Sequence, residues 1–227
     1  VSPRRLSGLL LALLAACATG PDKPGRDLRP TATPSTVVAA ELAFARLAQE
    51  KGQWTAFREY ATDDAVMFVP QPVNARDWLR SQSDPAQAVR WQPHQVWSSC
   101  DGSLAVTRGA WQGVEGVTGY FTTVWQRQRD GSYMWVLDQG DTLAQPLAAP
   151  EMIQASVAEC ASLPAAAPAP GSVPPPAGGV VRREGVSEDR TLQWVVDIAP
   201  DYGRTLTVRR WTGSGYEDVL RGEVAAP

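Results

Sequence analysis

Proline sets the first constraint on this chain. Of its 19 prolines, four lie from Pro21 to Pro34 and eight from Pro146 to Pro176. Each lacks a backbone N–H and locks φ, so segments this rich in proline interrupt helices and central strands. The run from Leu163 to Gly179 reads as a Pro/Ala-rich linker. The prolines divide the chain into a leader (1–17), a tether (18–36) and a main block (37–145). An exit segment (146–179) and a tail piece (180–227) follow. No internal repeat stands out.

The main block starts helical. Val37, Val38, Leu42, Phe44, Ala45, Leu47 and Ala48 recur at roughly helical spacing, with Ser35 or Thr36 as N-cap, until Gly52 interrupts them. Trp54 to Tyr60 predicts a second, short helix, and Ala65 to Val69 a strand closed by Pro70 and Pro72. Asn74 caps a third helix over 75–81. From Gln92 the pattern is β: strands over 94–98, 103–111, 119–127 and 133–138, with Asp101-Gly102 and Asp130-Gly131 as hairpin turns. Helices first and a strand meander afterwards imply an α+β fold. In the exit segment, Ile153, Val157 and Cys160 share one side of an expected short helix over 151–160. In the tail, Leu192, Trp194, Val196 and Ile198 alternate with Gln193, Val195 and Asp197. Two further turns make this a three-stranded meander, expected to dock its apolar face on the main block.

Charge and cysteine content narrow the function. A net charge of −3 and a pI near 5.3 argue against phosphate-driven nucleic-acid binding. One histidine leaves little for zinc or a His-based triad, and no Gly-x-Ser-x-Gly, P-loop, Rossmann or Cys-x-x-Cys pattern is present. No cofactor and no metal is expected. Arg4 and Arg5 precede an apolar run from Leu6 to Ala16 that is too short to span a bilayer. Leu14-Ala15-Ala16-Cys17 resembles the bacterial lipobox, which makes Cys17 the lipidated residue; a plain secretory leader is the alternative. The lack of an aspartate after Cys17 resembles outer-membrane sorting, so the expected location is the periplasmic face of the cell envelope. Cys100 and Cys160 then remain as a pair for a disulfide in an oxidising compartment, or as two unrelated buried thiols.

Four stretches in this order resemble the NTF2-like superfamily, in its SnoaL-like and DUF4440-like branches. They are Ala40-Glu-Leu-Ala-Phe-Ala-Arg46, Tyr60-Ala-Thr-Asp-Asp-Ala-Val-Met-Phe68, Ala105-Val-Thr-Arg-Gly-Ala-Trp111 and the stretch from Gly119 to Trp135. The resemblance covers about 37–145 and implies a cone of helices packed on a curved antiparallel sheet. It also implies either a small-molecule cavity or acid/base chemistry on an apolar carbonyl compound. The first helix carries Phe44 and no tyrosine, which removes the hydroxyl donor that an isomerase of this superfamily would use.

Candidate residues follow. Asp63-Asp64 is an acidic pair, of which an extended chain turns at most one inward; a turn or cap role is the simpler reading. His94 has no evident partner. Asp138 and Asp141 end a strand at the expected cavity mouth, where burial would raise a carboxyl pKa. Five of the nine tryptophans lie on or beside the sheet strands, as core or as a ligand platform. Arg108 shares a face with Val106 and Ala110, either an outer face or an anion anchor. Strand alternation turns inward either Tyr120, Thr122 and Val124 or Phe121, Thr123 and Trp125, and the second set is favoured. Asp138 is expected to share a face with Met134 and Val136. The ligand wall would comprise Phe44, Phe121, Thr123, Trp125 and Asp138. Two function classes result: a membrane-anchored NTF2-like protein binding a small apolar ligand, or a SnoaL-like isomerase, cyclase or dehydratase. Partners are the membrane, through the lipid, and a second copy through the sheet face.

Overall fold

A computed structural model of the protein describes residues 32–165 and 177–227. The leader with Cys17, most of the tether and the proline-densest part of the linker lie outside the described residues. Among the described residues, no helix is long and apolar enough to cross a membrane.

Three helices come first: α1 (Pro34–Lys51), α2 (Gln53–Tyr60) and α3 (Ala75–Leu79). α1 starts earlier than its apolar stripe suggests, because Pro34 fits the first turn, where its missing N–H has no partner to lose. Its buried line is Val37, Glu41, Phe44 and Ala48, whereas Leu42 faces solvent. Gly52, at φ 113°, ends the helix in a conformation that other residues avoid. Asn74 caps α3 as expected, its side chain accepting from the Asp77 N–H at 3.0 Å.

The helices lie on one face of a seven-stranded sheet. Its strands are β1 (Ala61–Phe68), β2 (Pro72–Asn74), β3 (Arg90–Ser98), β4 (Leu104–Gln112), β5 (Thr118–Arg127), β6 (Tyr133–Leu143) and β7 (Gln154–Val157), in the order β2-β1-β6-β5-β4-β3-β7. The centre is the antiparallel meander expected, but β1–β6 and β3–β7 pair in parallel, so the sheet is mixed. β3 runs opposite to β6 across three antiparallel pairings, so the chain that leaves β6, crosses the sheet and returns in the reverse direction as β7 meets β3 in parallel. β7 replaces the short helix expected over 151–160. The free edge of β3 captures it, pairing Gln95 with Gln154 and Ser98 with Val157.

The tail forms a second sheet, β8 (Val181–Val186), β9 (Leu192–Ile198), β10 (Arg204–Trp211) and β11 (Tyr216–Val224), in the order β11-β10-β9-β8. It has one strand more than expected. The charged β8 is an edge strand held partly by Arg182 and Asp197, which sit opposite each other in register and bond at 2.7 Å. Leu192, Trp194, Val196, Ile198, Leu206 and Val208 pack against Trp97, Leu104, Val106, Val124 and Leu137 of the large sheet. The helices pack on the other face, against Val96, Ala105, Trp125 and Trp135. The molecule is therefore layered as helices, large sheet and small sheet. A homodimer through the outer sheet face would have to displace the chain's own tail.

A short repeat fastens the layers. Ser99-Cys-Asp-Gly-Ser-Leu104 and Ser187-Glu-Asp-Arg-Thr-Leu192 fold into matching turns, in which Leu104 and Leu192 each donate a backbone N–H to the leading serine hydroxyl. Asp101 and Asp189 organise the two loops, each accepting from its own turn's hydroxyls at 2.7–2.8 Å. Beside them, Cys100 and Cys160 form a disulfide with Cα atoms 5.4 Å apart. The Glu159 N–H reaches the Trp211 carbonyl at 3.1 Å, stitching the exit segment to the small sheet.

Candidate functional site

The concave face of the large sheet holds an unusual group: a glutamate within the helix stripe. Glu41 is fully buried. Its Oε1 accepts from the Trp91 indole at 2.7 Å, and its Oε2 accepts from the Thr107 hydroxyl at 2.6 Å and the Trp125 indole at 3.1 Å. Among the described residues no cation joins this set; three neutral donors hold the carboxyl. Burial pushes the Glu41 carboxyl above the ordinary range, against the pull of those hydrogen bonds.

The network extends along one rung of the sheet. Thr107, Thr123 and Asp138 are register partners on β4, β5 and β6. The Thr123 hydroxyl donates to Asp138 Oδ2 at 2.7 Å. Simple alternation would have placed Asp138 with Met134 and Val136. Instead a bulge opposite Val124/Trp125 leaves Val136 without a partner and sends Val136 and Leu137 to the outer cluster. Asp138 thereby shares the inner face with Trp135. Burial pushes its carboxyl up to about 7; the Thr123 hydroxyl pulls it down, the Glu41 charge pushes it up and Arg204 pulls it down. Asp138 nonetheless keeps part of its surface open. It is the less buried end of a two-carboxyl chain.

Aromatic rings fill the rest of the cone. Phe44 lies at its centre, 4.9 Å from Phe57, 5.2 Å from Tyr60, 4.8 Å from Trp91 and 6.0 Å from Trp125. Phe121, Thr123 and Trp125 face the helices, while Tyr120, Thr122 and Val124 face the small sheet. Phe44 and Trp125 are enclosed, so the accessible end of the five-residue wall is at Asp138. Glu41 and Tyr60 are the residues that sequence reasoning passed over. Glu41 was readable: with Val37, Phe44 and Ala48 it completes a 3–4 spacing on the buried face.

Other candidates have local roles. Asp63 and Asp64 are both exposed; Asp63 pairs with Arg76 at 3.3 Å, and Asp64 accepts from the Thr62 hydroxyl at 2.8 Å. His94 is the bulged residue of β3, and burial lowers its pKa. Asp141 accepts from the Thr142 N–H at 2.7 Å. Arg108 points to the small sheet. Among the described residues, no group of three metal-capable side chains assembles.

Helices α1 to α3 laid on the concave face of a mixed sheet, in the order helix, helix, strand, helix, meander, make an α+β fold of the kind that the NTF2-like resemblance implies. No family model and no curated protein matches the chain. Among solved structures, it is similar to a candidate ketosteroid isomerase of Parabacteroides distasonis. That protein is 15% identical, with TM-score 0.40 over 50% of this chain and 89% of the other. It is also similar to a candidate aromatic ring hydroxylase of Novosphingobium aromaticivorans, at 15% identity and TM-score 0.36 over 50% of this chain and 90% of the other.

Proposed function

We propose that this chain is a lipid-anchored envelope protein whose NTF2-like cone binds a small, largely apolar molecule, with Asp138 as the polar contact. The observation that supports this reading is Asp138 itself. It is a half-buried residue on an aromatic concave face, and its carboxyl takes a single hydrogen bond, from Thr123. Three of the deeper donors, the Trp91 and Trp125 indole N–H groups and the Thr107 hydroxyl, are engaged by Glu41. A ligand carrying one hydroxyl or N–H beside an apolar body would meet Asp138 with the polar group and Phe121 with the body. Anchoring would come through Cys17, placing the protein at the periplasmic face of the outer membrane.

A second reading, an isomerase, cyclase or dehydratase acting on an apolar carbonyl compound, draws on the same residue. A carboxyl titrating near 7 suits proton transfer at neutral pH. That chemistry also needs a donor for the developing oxyanion; the Trp91 and Trp125 indoles and the Thr107 hydroxyl serve Glu41, and the buried Trp135 indole N–H is left without a partner among the described residues. Binding asks only for the Asp138 carboxyl and an apolar wall, and is the leading reading. Titration of anilinonaphthalene sulfonate and a panel of apolar alcohols and ketones, read by tryptophan fluorescence and thermal shift, tests it. Saturable binding that weakens in Asp138→Asn supports the cone site. Absence of any response shows that the rings are core alone. Deuterium exchange at the α-carbon of a bound ketone, lost in Asp138→Asn, would move the reading to catalysis.

A further inference from the structure

The outer face of the large sheet carries a polar rung between apolar neighbours. Register places Gln154 beside Gln95, Gln95 beside Arg108, Arg108 beside Thr122 and Thr122 beside Gln139, so five adjacent strands contribute one polar residue each. Alternation sets this rung on the same face as Trp97, Val106 and Val124, under the small sheet.

Three buried groups on the rung lack a hydrogen-bond partner among the described residues: Arg108 Nη1, Thr122 Oγ1 and Gln139 Nε2. Thr122 is fully buried and Gln139 is 3% exposed. Leaving such groups unpaired costs on the order of 1–3 kcal/mol each, so a rung of three is unexpected in a merely structural interface. Arg108 stacks over the Tyr120 ring at 4.3 Å, and no carboxylate among the described residues pairs with it. The Gln139 carbonyl is occupied by Arg204 Nε at 2.9 Å, which leaves its amide N–H groups as the free end. Space above the rung is kept by a glycine. A Cβ at Gly222 would lie 3.3 Å from Arg108 Nη1 and 4.0 Å from Gln139 Nε2, so both donors border one small volume. Carboxylates on adjoining positions are engaged elsewhere: Asp141 with the Thr142 N–H and Glu223 with Arg221.

We propose that this rung is a binding site for a small oxyanion, a carboxylate or a phosphate-like group, received by Arg108, Thr122 and Gln139 beneath Gly222. The free valences are a guanidinium, a carboxamide N–H and a hydroxyl, which together demand an acceptor that brings negative charge. Access is in place. Arg108 also lines a cavity of about 230 Å³, walled by His94, Gln95, Leu147, Pro150 and Gln154, and none of the lining residues is acidic. The site lies on the opposite face of the sheet from Asp138, so it stands or falls independently of the cone reading.

The test is titration of the purified protein with inorganic phosphate, sulfate, acetate and succinate at constant ionic strength. Melting temperature and isothermal calorimetry are the readouts, with chloride as the reference. The expected result is a saturable rise in melting temperature with at least one of these anions, the carboxylate and phosphate arms showing which class fits. Arg108→Gln should weaken binding at least tenfold and Gly222→Ala should abolish it, while Asp63→Asn, at an exposed residue of β1, leaves it unchanged. Thr122→Val keeps the shape and removes only the hydroxyl. It covers the case in which the other variants fail to fold, and should weaken binding several-fold. No anion response beyond that of chloride, or a response that survives Arg108→Gln and Thr122→Val alike, overturns the proposal.

Discussion

Asp101 and Asp189 clasp each other's backbone: the Asp101 N–H donates to Asp189 Oδ2 at 2.7 Å, and the Asp189 N–H donates to Asp101 Oδ2 at 3.0 Å. The exchange joins a hairpin of the large sheet to a hairpin of the small one. Thr191 adds a third contact, accepting from the Cys100 N–H at 2.8 Å. Each carboxylate thus serves its own turn with one oxygen and the opposite turn with the other.

Replacing either aspartate by alanine should loosen the small sheet. Several N–H and hydroxyl donors lose their acceptor at once, so a loss of about 2–4 kcal/mol is expected. Urea unfolding measures it. The double variant should cost less than the sum of the singles, because both remove the same clasp. Strict additivity would show that the two turns are independent.

The Cys100–Cys160 disulfide closes a 60-residue separation next to this clasp. In the chain-entropy model a loop of that size contributes about 3–5 kcal/mol. Reduction, or Cys100→Ala with Cys160→Ala, should lower the unfolding midpoint accordingly. Thiol titration of denatured, unreduced protein should find neither of these two cysteines free.

Asp138 sets a pH dependence with a definite sign. Its folded pKa, about 7, lies above its ordinary carboxyl value, so the native state holds a proton that the unfolded chain releases. The stability associated with that proton is complete below about pH 4 and is lost as pH rises toward and through about 7. Asp138→Asn keeps the acceptor for Thr123 and removes the titration. The variant should be more stable than the wild type at pH 8, and its stability should vary less between pH 5 and 8. Equal slopes for the two proteins would mean that the carboxyl titrates normally.

Glu41→Gln tests the inner network. The carboxamide presents an NH₂ to at least one of three donors, so one indole or hydroxyl loses its acceptor, at a cost of about 1–3 kcal/mol. Indole N–H chemical shifts of Trp91 and Trp125 should move in the variant, and their constancy would rule out the bonding described.

Cys17→Ser tests the anchor. The variant should lose fatty-acid labelling and leave the membrane fraction, since a lipid chain contributes about 0.8 kcal/mol per buried methylene. Retention of label and membrane association would refute lipidation at Cys17.

Local sequence determined a good deal here. Asp-Gly at 101–102 and 130–131 makes hairpin turns by its own conformational preference, and Gly52 ends a helix for the same reason. The alternation that turns Phe121, Thr123 and Trp125 to one side needs only the pleat of a strand. Tertiary structure decided the rest. Whether residues 154–157 became helix or strand depended on an open edge at β3, from a part of the chain nearly 60 residues earlier. The bulge at Val136 turned Asp138 inward, because filling the space between two sheets outweighed regular pairing. Glu41 became a buried acid, and Arg108 a covered cation, only when other strands closed over them. Burial is a property of the packed layers, and it converts ordinary charged side chains into groups with altered proton affinity and unmet hydrogen bonds. A local pattern sets Glu41 on the buried stripe of its helix, but not which groups close over it.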